Sequence, residues 1–158
     1  MTTITCLKGD ATCPQASGPR VVAHVCNDLG RWGKGFVLAV SRRWPVAEAE
    51  YRRWYAAGRA GGFALGAVQF VPVERFVTVA NLVAQRGVKW GSGGPPIRYD
   101  ALPTCLGLLA RHAIEAGASV HMPRIGCGLA GGSWDVVGPL VDEHLCGVGL
   151  RVTVYDFD

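Results

Sequence analysis

Apolar and polar positions divide the chain into strands and helices in near alternation. Residues 3–8 alternate around Ile4 and Cys6 and read as a first strand. Residues 20–26 (RVVAHVC) form a nearly continuous β-branched run, the pattern of a strand buried on both faces. Residues 65–71 and 76–83 predict two further strands, with Pro72 to Arg75 as the turn of a hairpin. Residues 118–122 predict a short buried strand, and residues 150–157 a closing one. Helical spacing marks residues 35–44, with Phe36, Val37, Val40 and Trp44 on one stripe. Pro45 breaks that helix and opens a second, which runs to residue 57. Asp100 is a good cap for a third, reaching residue 116, in which Leu102, Leu106, Leu109, Ala113 and Ile114 are expected to face the core. A fourth helix is expected over residues 134–145.

About six strands and four helices, with crossovers around one hairpin, predict a three-layer α/β/α sandwich with a mixed central sheet. One domain over residues 1–158 is expected, since a chain of this length supports a single core. Ligands of such sheets bind beyond the carboxyl ends of the strands. Three loops leave those ends, at residues 27–35, 84–96 and 125–133. Gly126, Gly128, Gly131 and Gly132 crowd the last of them. Glycines there let a backbone approach a ligand and aim amide N–H groups at an anion, and the helix N-terminus that follows adds partial positive charge. An ordinary strand-to-helix connection reads the same from that loop alone. Two glycine-rich loops together fit a ligand with two phosphates better than one with a single charge.

A hydrophobic content of 49% with 18% charged residues excludes disorder. The net charge of +4 favours anionic partners without selecting among them. The doublets Arg42-Arg43 and Arg52-Arg53 read as solvated helix faces, and a nucleic-acid partner ranks last. No apolar stretch reaches the roughly 18 residues of a membrane span, and none follows Met1, so a cytoplasmic location is expected. Six cysteines form no CxxC pair. Buried free thiols are expected, with no disulfide framework, no metal and no cofactor. His24, inside an apolar strand, reads as a satisfied core histidine.

Four motifs in order, Lys8-Gly9-Asp10-Ala11, Ala23 to Asp28 with Trp32-Gly33-Lys34-Gly35, Met122 to Leu129, and Val154-Tyr155, resemble the macrodomain family, modules that bind ADP-ribose. The resemblance covers nearly the whole chain. It implies that the Asp10 carboxylate and Ala11 amide meet the adenine edge, and that Tyr155 lies beside it. It implies that Asn27 bonds the distal ribose hydroxyls, with Gly33, Lys34 and Gly35 closing over that ribose. The loop of Arg124, Ile125, Gly126, Cys127, Gly128, Leu129 and Ala130 would carry the diphosphate on its amides.

The last two motifs resemble the class containing terminal ADP-ribose protein glycohydrolase, whereas residues 26–51 resemble the yeast ADP-ribose-1''-phosphate phosphatase. That glycohydrolase class uses a lysine at the end of the fourth strand and an aspartate after Gly-Cys-Gly-Leu. Here those places hold Ala84-Gln85-Arg86 and Ala130, so a lysine adduct is not supported. Lys34 and Lys89 are the nearest lysines by motif, and neither matches the strand-end position. The resemblance then implies water attack on an ADP-ribose conjugate, foremost its ester with a protein carboxylate. Asn27, Asp28 or Gln85 would place the water and Arg86 would stabilise charge. Asp28 also reads as a helix cap, and Gln85 and Arg86 as solvated loop residues. Cys127 is expected to serve through its amide, and Trp90 reads as a lid or as a loosely packed surface aromatic. The expected partner is ADP-ribose or an ADP-ribosylated protein. The alternatives are a reader without turnover and hydrolysis of ADP-ribose-1''-phosphate or O-acetyl-ADP-ribose.

Overall fold

The computed structural model describes residues 2–88 and 95–157, so Lys89 and Trp90 lie outside the described residues. In chain order the elements are β1 (Thr5–Lys8), β2 (Arg20–Asn27), α1 (Phe36–Arg43), α2 (Pro45–Ala57), β3 (Val68–Glu74), β4 (Val77–Gln85), α3 (Ala101–Ala116), β5 (Ser119–Met122), α4 (Trp134–His144) and β6 (Val152–Asp156). The six strands form one sheet in the order β1-β6-β5-β2-β4-β3. Every neighbouring pair is parallel except the β3–β4 hairpin, so the sheet is mixed, as expected.

The β-branched run of β2 is explained by the layers on either side. Val21 and Ala23 join Leu82, Val120, Met122 and Val154 under Leu102, Leu106 and Leu109 of α3 and Val137 and Val141 of α4. Their neighbours Val22 and Cys26 turn to the opposite face, where Val79 and Val83 meet Val40, Trp44, Ala47 and Tyr51 of α1 and α2. Two apolar faces on one central strand give the three-layer sandwich. One polar pair is buried in the second layer: His24 and Asn81 are register partners on β2 and β4, with His24 Nε2 2.5 Å from Asn81 Oδ1.

Four local expectations change. Ile114, expected on the core face of α3, is exposed, because one residue past the buried Ala113 the helix has turned off that face. β3 starts at Val68 because Ala64 to Ala67 close a turn first, with Gly66 at φ 94° and the Ala67 N–H bonded to the Ala64 carbonyl. The hairpin turn is tighter than four residues, since β3 runs to Glu74 and β4 starts at Val77. Pro72 thus lies within β3, the outer strand at that side of the sheet, where its missing N–H disturbs no inner ladder. Cys6 and Cys13 are exposed, not buried, because β1 is the opposite edge strand and Cys13 follows the Asp10 turn. Among the described residues no helix is long and apolar enough to cross a membrane.

Candidate functional site

Three adjoining cavities form one cleft over the carboxyl ends of the strands. The first, about 600 Å³, is lined by Asn27, Arg31, Lys34, Gln85 and Leu129 among others. A second of about 600 Å³ lies at the other end against Asp10, Ala11, Arg42, Arg124 and Tyr155. Between them a third of about 380 Å³ touches His24, Lys34, Gly35, Ile125, Gly126 and Ala130. Gly33, Cys127 and Gly128 complete the walls. The structure therefore brings together every expected ligand-contacting residue, from Asp10 at one end to Asn27 at the other.

The central walls are backbone. Gly126 takes φ 72°, and a Cβ there would approach Ile97 Cδ1 to 2.7 Å. The Gly132 N–H bonds the Gly126 carbonyl at 2.7 Å and closes the loop on itself. Within that loop the N–H groups of Gly126, Gly128, Leu129 and Ala130 find no acceptor among the described residues. Facing them is the start of α1, where Gly35 has φ 84° and ψ −150° and no side chain caps the first turn. The two walls nearly touch, since a Cβ on Gly35 would lie 3.2 Å from Leu129 Cδ1. Orphan N–H groups from a loop and from a helix end form an anion-binding concavity. The helix that supplies partial positive charge is thus α1. The expected one, α4, is already capped by Ser133, whose Oγ accepts the Asp135 N–H at 3.2 Å, with Asp135 in its first turn.

Asn27 is the organiser of the β2–α1 loop. Its Oδ1 accepts the N–H groups of Leu29 (2.9 Å) and Arg31 (3.1 Å), and its Nδ2 donates to the Arg31 carbonyl at 2.7 Å. Tyr51, buried on α2, donates its hydroxyl to the Asn27 carbonyl (2.6 Å) and Oδ1 (3.1 Å). One Nδ2 proton is left to face the cavity. Asp28 Oδ1 accepts the Gly87 N–H at 2.7 Å. That bond ties the β2–α1 loop to the end of β4. Gln85 does line the cleft; its Nε2 donates to the Gly87 carbonyl at 2.8 Å. Arg86 is exposed, and neither it nor Asp28 lines any of the three cavities.

At the other end Asp10 Oδ1 accepts the N–H (2.8 Å) and hydroxyl (2.7 Å) of Thr12. Arg124 forms a bidentate pair with Asp156, at 2.6 and 3.0 Å, which raises its pKa and lowers that of Asp156. Tyr155 accepts the Gln15 N–H and bonds His121 Nδ1 at 2.8 Å, while His121 Nε2 lies 2.8 Å from Ser119 Oγ. Burial lowers the pKa of His121 to about 4, helped by Arg20 and Arg151, and burial alone lowers His24 to about 4 against its Asn81 bond. Both imidazoles are neutral structural groups at pH 7. Burial raises the Cys127 thiol, and the Cys127 N–H is given to the Arg124 carbonyl at 3.2 Å, so the amide expected to meet the ligand is occupied within the loop. Sequence reasoning missed Tyr51 and Gly87, which act through contacts 24 and 59 residues away in the chain.

A mixed six-stranded α/β/α sandwich with a backbone-lined cleft at its carboxyl edge is the macrodomain architecture. The chain is 56% identical to a macrodomain protein from Streptomyces coelicolor, over 97% of this chain and 98% of that one, with a TM-score of 0.87. It belongs to the macrodomain family. A Bacteroides thetaiotaomicron protein of unknown function is 52% identical over 98% of both chains, with a TM-score of 0.94. The mouse chromodomain-helicase-DNA-binding protein 1-like is 32% identical across 99% of this chain, which spans 18% of that protein's length. The bovine ADP-ribose glycohydrolase OARD1 is 34% identical over 58 residues, 36% of this chain and 38% of that one. Thermosipho africanus DarTG, solved in complex with ADP-ribose, shares the fold at 17% identity over 98% of this chain and 42% of that one, with a TM-score of 0.77. No protein-family model matches the chain.

Proposed function

We propose that the cleft binds ADP-ribose and that the protein hydrolyses ADP-ribose conjugates, foremost esters of ADP-ribose with protein carboxylates. The observation that carries the binding half is the pair of facing sets of free N–H groups, those of Gly126, Gly128, Leu129 and Ala130 and those at the uncapped start of α1. They suit the diphosphate, with Asp10, Ala11 and Tyr155 at the adenine end and Asn27, Gly33, Lys34 and Gly35 around the distal ribose. DarTG in complex with ADP-ribose, on the same fold, supports this reading.

The chemistry follows from what the ribose end offers. Asn27 Oδ1 is saturated by two N–H groups and a hydroxyl, so Asn27 positions the loop and leaves a single donor for a ribose hydroxyl. Asp28 is held by Gly87. That leaves Gln85, whose Nε2 is occupied and whose Oε1 is available to accept from a water. The water attacks the anomeric carbon, the bond from that carbon to the ester oxygen breaks, and the carboxylate leaves with the electron pair. The attacking water's proton passes to solvent. Among the described residues no carboxylic acid or imidazole lines this end, which favours a leaving group that is stable as an anion; a carboxylate, with a pKa of about 4, qualifies. The partial match to a glycohydrolase supports turnover.

A time course on glutamate-linked mono-ADP-ribosylated protein tests both halves. Release of ADP-ribose by the wild type and a loss of about 10²-fold in Gln85→Ala are expected. A reader without turnover is favoured by Ala130 standing where a carboxylate would be and by a ribose-end cavity with no carboxylate among its described lining residues. It is the outcome if calorimetry shows ADP-ribose binding and no product is released.

A further inference from the structure

We infer that the conjugate carries its ADP-ribose on an acidic peptide, and that Arg31 reads acidic side chains flanking the linkage. The inference rests on the ADP-ribose reading, which puts the linkage at the Asn27–Gln85 end of the cleft.

Charge is divided unevenly along that cleft. The adenine-end cavity sets Arg42 and Arg124 against Asp10 and Asp156. The ribose-end cavity is lined by Arg31 and Lys34 and, among the described residues, by no carboxylate. Neither cation has an ion-pair partner among the described residues, and exposed Arg86, next to Gln85, has none either. The nearby acid, Asp28, gives its Oδ1 to the Gly87 N–H. The diphosphate is answered by backbone N–H groups further along, so it leaves the cations of this mouth uncompensated.

Arg31 is also a built feature. Both its N–H and its carbonyl are held by the Asn27 side chain, at 3.1 and 2.7 Å, while the residue itself is exposed. Lys34 belongs to two cavities, whereas Arg31 lines the outer one alone. Leu129, 61% exposed, lines the opening with Val37 and Val88, and no aromatic side chain among the described residues lines it. A nucleic-acid strand is gripped by basic grooves with aromatic stacking platforms. A rim of point cations and aliphatic side chains suits a peptide with Glu or Asp around the modified carboxylate.

Calorimetry with ADP-ribose on a non-hydrolysable linkage separates the cases. Three ligands are compared: an acidic peptide, its Gln/Asn counterpart, and a single-stranded oligonucleotide, each at low and physiological salt beside free ADP-ribose. The acidic peptide is expected to bind roughly three- to fivefold more tightly per engaged cation than the neutral one, with the gap narrowing as salt rises. Arg31→Gln should remove that preference, read as the ratio of the two peptides' Kd values so that any change in ADP-ribose affinity common to both cancels; the loop itself persists, because the backbone bonds to Asn27 need no Arg31 side chain. Equal binding of the two peptides, with free ADP-ribose still bound, overturns the inference. So does tighter binding of the oligonucleotide. If free ADP-ribose itself does not bind, the reading of the cleft fails with it.

Discussion

Tyr51→Phe isolates the contact by which a helix on one face of the sheet sets the shape of the cleft. The phenol is fully buried and its hydroxyl donates to the Asn27 carbonyl at 2.6 Å and to Asn27 Oδ1 at 3.1 Å. Removing it leaves the ring packing unchanged but strips a donor from the carbonyl and one of three from Oδ1. Oδ1 keeps the N–H groups of Leu29 and Arg31, so the greater loss falls on the carbonyl. A buried acceptor losing its partner costs about 1–3 kcal/mol. For a chain of this size each kcal/mol lowers Tm by about 2–4 °C, so a midpoint cost of about 2 kcal/mol gives a drop of about 4–8 °C. Thermal unfolding followed by far-UV circular dichroism reads this directly. In an Asn27→Ala background Tyr51→Phe should keep most of its cost, because the backbone carbonyl is still there to be orphaned. The part that disappears, on the order of 0.5–1 kcal/mol, is the Oδ1 bond. A Tm within about 1 °C of wild type would refute the claim that this hydroxyl braces the loop.

Two further predictions probe the phosphate-side loop and the buried histidines. A Cβ on Gly132 would lie 2.4 Å from the Gly126 carbonyl oxygen, whereas one on Gly128 meets no described atom within 4 Å. Gly132→Ala should therefore lower Tm and weaken ADP-ribose binding at least about tenfold, while Gly128→Ala alters binding in calorimetry and leaves Tm in place. His24 and His121 have folded pKa values lowered to about 4, from an ordinary 6.5. The unfolded chain then binds more protons between those values, so stability is full above about pH 6.5 and is lost as pH falls towards 4. Each histidine contributes about 3 kcal/mol to that loss. Urea midpoints measured across this range should fall less steeply for His121→Gln than for the wild type, and parallel curves would contradict the assignment.

The strands and helices were legible because burial imposes its period on the sequence. The RVVAHVC run announced a strand with helices on both sides, and Asp100 announced the start of α3, where its carboxylate accepts the Ala101 N–H at 3.0 Å. The glycine loops were legible as places of close backbone approach. Their electrostatic partner was not. Which helix end stays uncapped depends on whether a serine folds back on its own turn, as Ser133 does, or a glycine stands there, as Gly35 does. The roles of Asn27 and Asp28 were equally hidden, since a side chain that faces a ligand and one that braces a loop have the same spelling. Only the folded positions of Tyr51 and Gly87 separate them. Cys6 and Cys13 were misjudged because apolar character says nothing about whether a strand lies at an edge.

Pro72 near the middle of β3 bears on how the molecule meets other chains. The outer strand of a sheet is a template on which a foreign strand can continue the ladder, the step that starts strand-exchanged dimers and fibrils. Here a zipper along that rim meets a position with no N–H to offer and, just beyond, a shift in register before Glu74. At the opposite rim β1 presents only four residues, and it ends in Lys8. Both selvedges of the fabric are thus hemmed, and what remains for a polypeptide to engage is the end of the strands, where the cleft opens.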